Sequence, residues 1–222
     1  MNRGIDLIDT YKHKGLRKRL SETVRNKGIN DHRIIQAIEK IPRHFFLDSA
    51  FHELAYEDQA MQIGEGQTIS QPYTVAYQTE VLEIEEGDKV LEIGLGSGYQ
   101  ACILIELGAE VYSIERIAKL HEKAGELLNI MGYHPHIFVG DGTLGLADHA
   151  PFDKIIVTAA APEIPKALTD QLRIGGIMVI PIGDKESQIM YKVIKTTEGS
   201  ISTKALHAFR FVPLIGKQGW KS

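Results

Sequence analysis

The middle and later parts of the chain alternate between two hydrophobic periods. Short runs of consecutive apolar residues, bounded by turn residues, predict buried strands at 89–93, 110–114, 135–139, 153–157 and 177–182. Between them, apolar residues three and four positions apart predict helices at about 98–107, 117–131 and 163–172. Such an alternation of strand and helix is typical of an α/β protein with a mostly parallel, doubly wound, Rossmann-like sheet.

The two ends of the chain follow different patterns. Residues 5–27 and 31–41 have helical spacing, and the second predicted helix begins at a cap candidate, Asn30 or Asp31. These two segments predict an N-terminal helical extension. At the other end, strand-like stretches at 188–195 and 203–212 are joined by a Gly-containing turn, which predicts an antiparallel hairpin at the edge of the sheet.

Residues 51–72 show no sustained period and contain Gly64-Glu65-Gly66. We predict an irregular segment here, followed by a helix that begins at Pro72, a residue favoured in a first turn. Irregular segments of about 20 residues in compact proteins are more often functional than idle. The segment is therefore the first candidate for a functional loop.

Composition limits the class of protein. The chain has 222 residues, 43% of them hydrophobic and 24% charged, which is typical of a soluble globular protein and argues against disordered and fibrous classes. We predict one domain over 1–222, with a basic extension at 1–50, a loop at 51–72 and an α/β core at 73–222. The longest apolar runs are too short for a membrane span. With one cysteine, Cys102, and no leader-like start, the protein is predicted to be cytoplasmic.

Charge is distributed unevenly. Residues 1–50 carry 11 Lys and Arg against 6 Asp and Glu, a net +5, within a chain whose total is −4. A basic segment could attract nucleic acid or acidic substrates, but the basic residues at 12–19 have no interleaved aromatic residue beyond Tyr11. A solvated helical face is therefore favoured, and no nucleic-acid partner is predicted. The nine histidines form no HExxH motif, and no CxxC pair exists, so no metal is predicted.

A glycine-rich turn follows the first strand of the predicted core. Residues 90–98 read Val-Leu-Glu-Ile-Gly-Leu-Gly-Ser-Gly, a strand that enters a turn at Gly94, Gly96 and Gly98 and opens a helix. Glycines let a ligand approach the backbone closely, and the helix N-terminus offers unpaired N–H groups. Glu115 ends the next strand and is well placed to accept both hydroxyls of a ribose. Together these features predict a nucleotide site rather than a simple connecting turn.

The type of nucleotide follows from the residues around the turn. Tyr99 stands where a dinucleotide-binding fingerprint has its third glycine, which disfavours NAD. Glu92 would repel a pyrophosphate, whereas S-adenosylmethionine, with its ammonium and sulfonium groups, suits a nearby carboxylate. Asp141, between Gly140 and Gly142, could accept a hydrogen bond from the adenine amino group, although Asp-Gly is also a common turn.

These residues carry a family resemblance. The stretch 90–98, Glu115, Asp141-Gly142 and the stretch 152–158 resemble successive motifs of class I S-adenosylmethionine-dependent methyltransferases. More specifically, residues 41–45, 63–72, 157–162 and 210–214 resemble motifs of the protein-L-isoaspartate O-methyltransferase family. Members of that family repair damaged proteins by methylating the α-carboxylate of isoaspartyl residues. The resemblance extends over roughly residues 15–214.

The resemblance implies a role for particular residues. It makes Ser70 the catalytic residue and S-adenosylmethionine the cofactor, with S-adenosylhomocysteine as product. The implied cofactor-binding residues are Gln67, Thr68, Ile69, Ser70, Glu92, Gly94, Gly96, Gly98, Glu115, Asp141 and Gly142. The implied substrate-binding residues are Ile69, Ser70, Val212, Pro213 and Leu214. Damaged proteins and peptides are the implied partners of a monomeric enzyme, and after Leu214 the chain differs from the animal members.

Other interpretations stay open at this level. Taken alone, Ser70 is more typical of a turn or helix cap ahead of Pro72, and only the resemblance favours a catalytic role. The core motifs fit a class I methyltransferase that acts on another carboxylate, on a small molecule or on RNA. They also fit a non-catalytic module that binds S-adenosylmethionine. The residues 64–72 are what separate the isoaspartate-specific interpretation from these alternatives.

Overall fold

The computed structural model describes residues 7–197 and 199–221. Its α-helices are α1 (Tyr11–Asn26), α2 (His32–Lys40), α3 (Pro72–Leu82), α4 (Tyr99–Glu106), α5 (Ala118–Ile130) and α6 (Lys166–Gln171). Its strands are β1 (Met61–Gly64), β2 (Gln67–Ile69), β3 (Lys89–Ile93), β4 (Glu110–Glu115), β5 (His136–Val139), β6 (Phe152–Val157), β7 (Leu172–Gly183), β8 (Gln188–Thr197) and β9 (Ser200–Phe209).

The larger sheet has the order β5-β4-β3-β6-β7-β8-β9. The five strands β5, β4, β3, β6 and β7 are parallel, while β8 and β9 are antiparallel to their neighbours. This confirms the predicted mostly parallel α/β sheet with a C-terminal hairpin. The chain order reverses at β3, which lies between β4 and β6, so the carboxyl ends of these three strands border one crevice. Ligands of open α/β sheets bind at such a switch point.

Apolar packing continues from the N-terminal extension into the core. Leu20, Ile34 and Ile38 are buried in the same hydrophobic cluster as Tyr99 and Ile103. Several basic residues of the extension pair with acidic residues, since Lys12 contacts Glu53, Lys27 contacts Asp58 and Lys40 contacts Glu106. These pairs agree with the predicted solvated face. No helix in the described ranges is long and apolar enough to cross a membrane.

Several element boundaries differ from the predictions. Helix α1 begins after Thr10, whose hydroxyl accepts a hydrogen bond from His13 N; the first two residues of the predicted helix at 5–27 lie outside the described residues. Helix α6 is shorter than the predicted 163–172, because Pro165 precedes it and keeps Ile164 out of the helical region. Strand β9 ends at Phe209 rather than 212, since the chain then leaves the sheet.

The prediction of an irregular segment at 51–72 is wrong in part. Strands β1 and β2 form an antiparallel two-stranded ribbon, in which Met61 pairs with Ile69. Its turn is Gly64-Glu65-Gly66, and all three residues have positive φ, of 97°, 53° and 68°. The strands are three and four residues long, too short for a two-residue period to be recognised in the sequence.

Candidate active site

One cavity lies at the carboxyl ends of β3, β4 and β6. Most of its wall comes from four groups of residues, which are the strand β2 with Ser70, the glycine turn after β3, the end of β4, and the segment that follows β9. Among the predicted site residues, the wall contains Gln67, Thr68, Ile69, Ser70, Gly94, Gly96, Glu115, Gly142, Val212, Pro213 and Leu214. The fold thus brings together residues up to 147 positions apart in the chain.

The glycine turn has a backbone that other residues would strain. Gly94, Gly96 and Gly98 have φ of 97°, 54° and 87°, in the left-handed region that favours glycine. A Cβ at Gly94 would lie 2.6 Å from Oγ1 of Thr158, and one at Gly98 would lie 3.0 Å from Leu128. Gly94 and Gly96 form part of the cavity wall, whereas Gly98 lies behind it as the residue before α4.

Glu115 ties the glycine turn to the element that follows β4. One carboxylate oxygen accepts a hydrogen bond from Gly96 N at 2.9 Å, and the other accepts one from Ile117 N at 2.9 Å. Glu115 is almost completely buried, yet it forms part of the cavity wall. Each carboxylate oxygen has a further lone pair. The side chain can therefore hold the turn in place and still accept hydrogen bonds from a ligand's hydroxyl groups.

Glu92 lies beneath the turn and outside the cavity wall. It is fully buried, and Ser113 donates a hydrogen bond of 2.6 Å to one oxygen, while the other oxygen has no partner among residues 7–197 and 199–221. Burial is the main cause that raises the pKa of Glu92 to about 8; the hydrogen bond from Ser113 opposes the rise, and the negative charge of Glu115 contributes to it. The side chain is thus a neutral acid at pH 7 in this structure.

We expect this burial to make stability depend on pH. Because the pKa of Glu92 is raised by folding, its contribution is fully present below about pH 4.5 and is lost as the pH rises through about 8. Glu92→Gln, which stays neutral, should remove that loss. Urea unfolding at pH 5.5 and pH 8.5 should show a free energy of unfolding that falls by about 1–3 kcal/mol more in the wild type than in the variant. Equal losses in both proteins would contradict this, and Glu122→Gln, on the exposed face of α5, is the control.

Asp141 makes bonds within the protein that the sequence could not show. Its carboxylate accepts hydrogen bonds from Thr143 N at 3.0 Å, Thr143 Oγ1 at 2.6 Å and Lys217 N at 2.8 Å. Burial opposes ionisation, but these hydrogen bonds outweigh it and lower the pKa of Asp141. Asp141 lies behind the wall to which Gly142 contributes, and it holds the C-terminal segment, whose Ile215 also forms part of the wall.

Ser70 stands between β2 and α3, in the wall and half-buried. The residue that precedes α3 is Gln71, and no side chain caps this helix. In the described part of the chain, the Ser70 hydroxyl makes no hydrogen bond, so the structure does not support the interpretation as a helix cap. The carbonyl group of Ser70, by contrast, accepts a hydrogen bond of 2.8 Å from Arg43 Nη2.

The segment after β9 is held against the cavity by its backbone. Val212 O accepts a hydrogen bond from Ala160 N, and Leu214 N donates one to Ala160 O, both at 2.8 Å. The indole of Trp220 also donates to Ala160 O at 3.1 Å. These contacts place Val212, Pro213 and Leu214 in the same wall as Ser70, as the resemblance implies.

Sequence reasoning missed several residues of the wall. Thr158 follows β6 and donates hydrogen bonds to Ile93 O at 2.9 Å and Gly94 O at 2.8 Å. Tyr99, which stands where a dinucleotide-binding fingerprint has its third glycine, is buried and also borders the cavity. The other additions are Val75, Ile93, Leu95, Ser97, Gln100, Ile114, Arg116, Ile117, Ala159 and Ile215. Thr158 could have been found, because it follows a strand that neighbours β3 in a doubly wound sheet.

A cluster of possible metal ligands lies in the N-terminal extension. Ligand atoms of Asp9, His13 and His44 all lie within 4.8 Å of one another. They already have partners, since Arg17 donates two hydrogen bonds to Asp9, and the ring nitrogens of His44 contact Tyr56 and Ile8. Burial lowers the pKa of His44 to about 4. Because the Arg17 guanidinium is hydrogen-bonded to both oxygens of the Asp9 carboxylate, we propose no metal site here. The absence of a metal stays a prediction.

A crevice at the switch point of this sheet, with a glycine turn on one strand and an acidic residue at the end of the next, is the arrangement of a nucleotide-binding α/β protein. Because Tyr99 replaces the third glycine of a dinucleotide fingerprint, the arrangement fits a class I S-adenosylmethionine-dependent methyltransferase.

The family model of protein-L-isoaspartate(D-aspartate) O-methyltransferase matches residues 15–219. A protein-L-isoaspartate O-methyltransferase of Cytophaga hutchinsonii is 52% identical over 214 residues, 96% of this chain and 97% of the relative. One from Dictyoglomus turgidum is 50% identical over 215 residues, with the same coverage. The chain belongs to the protein-L-isoaspartate O-methyltransferase family.

Solved structures agree with this assignment. One protein-L-isoaspartate O-methyltransferase superposes with a TM-score of 0.83 at 30% identity, over 91% of this chain and 67% of the other. A Plasmodium falciparum protein that carries the same family name, solved in complex with S-adenosyl-L-homocysteine, superposes with a TM-score of 0.77 at 25% identity, over 90% of this chain and 98% of the other.

Proposed function

We infer that the protein transfers a methyl group from S-adenosylmethionine to the α-carboxylate of L-isoaspartyl residues in damaged proteins and peptides. The observation that carries this inference is one cavity wall that contains the glycine turn with Glu115 and also Ser70 with Val212, Pro213 and Leu214. A cofactor site and a segment for an acceptor thus meet in one place. The relatives at about 50% identity, named for this activity, support the same inference.

The wall suits S-adenosylmethionine. Glu115 retains lone pairs for the ribose hydroxyls, and the left-handed glycines at Gly94 and Gly96 leave the backbone open to close approach. We propose that Gln67, Thr68, Ile69 and Gly142 complete the contacts. Glu92, Gly98 and Asp141 act from behind the wall, where they hold the turn and the neighbouring loop in shape.

The acceptor needs no general base. An α-carboxylate has a pKa near 3.5, so it is already ionised at pH 7. When bound, S-adenosylmethionine would supply the methyl group: the carboxylate oxygen bonds to the methyl carbon as the bond from that carbon to sulfur breaks, and S-adenosylhomocysteine leaves. The protein's task is to position that oxygen. We propose that the Ser70 hydroxyl donates a neutral hydrogen bond to the carboxylate, whereas a lysine would stabilise the charged ground state too strongly.

Two other functions remain distinct alternatives. A class I methyltransferase for another carboxylate, a small molecule or RNA would share the core but would not require Ser70 beside the glycine turn. A non-catalytic module would bind S-adenosylmethionine and transfer nothing. The half-buried Ser70, with its hydroxyl free of protein partners in the ranges described, favours the isoaspartyl function over both.

We expect Ser70→Ala to lower kcat for an isoaspartyl peptide by at least about tenfold, because one positioning hydrogen bond is lost. The dissociation constant of S-adenosylhomocysteine should stay within a few-fold of the wild-type value. Rate assays together with calorimetric titration measure both quantities. An unchanged kcat per folded molecule, with only a lower melting temperature, would show that Ser70 is structural.

The proposed function is tested by following a labelled methyl group. With S-adenosylmethionine labelled in its methyl group, an isoaspartyl peptide should gain a base-labile label, and the label should later leave as methanol when the ester closes to a succinimide. RNA and small dicarboxylic acids, offered separately, should gain none. Label on either of them but not on the peptide would move the assignment to another methyltransferase. Cofactor binding without any transfer would indicate the binding module.

Three further properties are proposed at the level of the whole protein. The described residues of one chain are enough to form the cavity, which favours a monomer. The single cysteine is buried and free, as is typical of a reducing cytoplasm. Because the extension at 1–50 shares its apolar cluster with the core at 73–222, we propose one domain that also includes the segment 51–72.

A further inference from the structure

Arg43 is a buried cation directly behind the cavity. Its side chain is fully buried, and its guanidinium lies 4.8 Å from the centre of the Tyr99 ring, which borders the cavity. Nη2 donates to Ser70 O at 2.8 Å and makes a long contact of 3.5 Å with Gln59 O. Burial lowers the pKa of Arg43 to about 10, against the opposing effects of Tyr99 and Asp58, so the group stays charged at neutral pH.

This arrangement destabilises the folded protein. Nε and Nη1 of Arg43 have no hydrogen-bond partner in the described chain, and the Tyr99 hydroxyl is also buried without one. Buried charge with unpaired donors destabilises a protein, and an apolar side chain of similar volume often serves better. Groups that break the rules of good packing concentrate at functional sites. The burial of Arg43 therefore calls for a function other than stability.

The hydrogen bond to Ser70 supplies such a function. It joins the N-terminal extension to the carbonyl group of the proposed catalytic residue, across 27 positions of the chain. The strand β2 is three residues long, and Ser70 lies between its end and the start of α3. Arg43 thus fixes the backbone at this junction from the side that faces away from the solvent.

A planar guanidinium fits this task better than an ammonium. Arginine can stack on an aromatic ring and donate a hydrogen bond in its own plane at the same time, whereas lysine presents a point charge on a flexible stem. The ring of Tyr99 and the carbonyl group of Ser70 are contacted by the same guanidinium. Since Tyr99 is the first residue of α4, directly after the glycine turn, Arg43 sets the position of Ser70 relative to the cofactor side of the cavity.

We propose that Arg43 is a positioning residue that acts through Ser70, holding its backbone so that the hydroxyl meets the acceptor carboxylate. The proposal rests on the proposed methyl transfer to isoaspartate. It predicts that the two residues are energetically coupled in kcat, because misplacing the Ser70 hydroxyl removes the same interaction as deleting it.

A double-mutant cycle with Arg43→Met and Ser70→Ala tests this. Arg43→Met should lower kcat at saturating peptide and cofactor by at least about tenfold in the wild type, but by less than about threefold when Ser70 is already alanine. Active protein is counted by stoichiometric binding of S-adenosylhomocysteine, so partial unfolding does not enter kcat. Arg43→Lys is the second variant if Arg43→Met does not fold, and it should show the same coupling with a smaller loss.

Arg17→Met is the matched control. Arg17 is another buried arginine of the extension, but it pairs with Asp9 and with the carbonyl group of Glu39. Its replacement should lower the melting temperature and leave kcat per active molecule within about twofold. Equal losses from Arg43→Met with and without Ser70 would overturn the proposal. If the wild type methylates no isoaspartyl peptide, or Ser70→Ala is as fast as the wild type, the proposed function or its catalytic residue fails first, and the role of Arg43 fails with it.

Discussion

Replacing Glu115 by alanine is expected to weaken the binding of S-adenosylhomocysteine by roughly tenfold to over a hundredfold. Charge-assisted hydrogen bonds from the ribose contribute about 1.5–3 kcal/mol, and that range corresponds to this change in affinity. The structure adds a second reason. Glu115 also accepts hydrogen bonds from Gly96 N and Ile117 N, so its loss frees the glycine turn itself. Isothermal titration calorimetry measures the change directly.

Two variants make the Glu115 experiment specific. Glu115→Gln keeps the shape but only one accepting oxygen, so its affinity should fall between those of the wild type and the alanine variant. Glu126→Ala removes an exposed carboxylate from α5 and should leave the affinity unchanged. NAD should show no saturable binding to the wild type. An unaltered dissociation constant in Glu115→Ala would show that Glu115 does not bind the ribose.

The centre of the sheet could be predicted from the sequence because β3, β4 and β6 are buried on both faces. The run Lys154-Ile155-Ile156-Val157 is recognisable as a buried strand from its own residues. The glycine turn after β3 is recognisable as a nucleotide-binding turn because it lies between a strand and a helix. Glu115 followed from its place at the end of the next strand. These features are local, or depend on a regular alternation of elements, so one sequence was enough to predict them.

The contacts behind the cavity could not be predicted in this way. Asp141 bonds to the backbone of Lys217, and Arg43 bonds to Ser70, over 76 and 27 positions respectively. No pattern of polarity indicates which distant carbonyl or N–H group a buried side chain will meet. The ribbon of β1 and β2 was missed for another reason, because its strands are too short for a period to be visible. Motifs in the sequence identify many residues of the cavity wall, whereas the tertiary contacts that hold those residues in place are visible only in the structure.

Selectivity for isoaspartate should be the largest effect of all, with kcat/KM at least about a hundredfold higher than for aspartate in the same peptide. In isoaspartate the free carboxylate is attached directly to Cα, and the extra methylene lies in the main chain. In aspartate that methylene separates Cα from the carboxylate. A peptide held by its backbone therefore presents the aspartyl oxygen displaced by about one bond length, roughly 1.5 Å. A misplacement of about 1 Å can lower a rate a hundredfold.

Charge cannot produce this selectivity. Both carboxylates are ionised at pH 7, and a site that recognised only negative charge would methylate both peptides. The discrimination must come from position, which is the task assigned to Ser70 and to the segment 212–214. Ser70→Ala should accordingly lower the ratio of kcat/KM values as well as kcat, since it removes the hydrogen bond that distinguishes the two positions.

The most direct measurement compares two synthetic peptides that differ only in one residue, L-isoaspartate or L-aspartate, with S-adenosylmethionine labelled in its methyl group. Initial rates over a range of peptide concentrations give kcat/KM for each. We expect steady labelling of the isoaspartyl peptide and a kcat/KM at least about a hundredfold lower for its aspartyl counterpart. Comparable labelling of both peptides would contradict the assignment of this protein to isoaspartate repair.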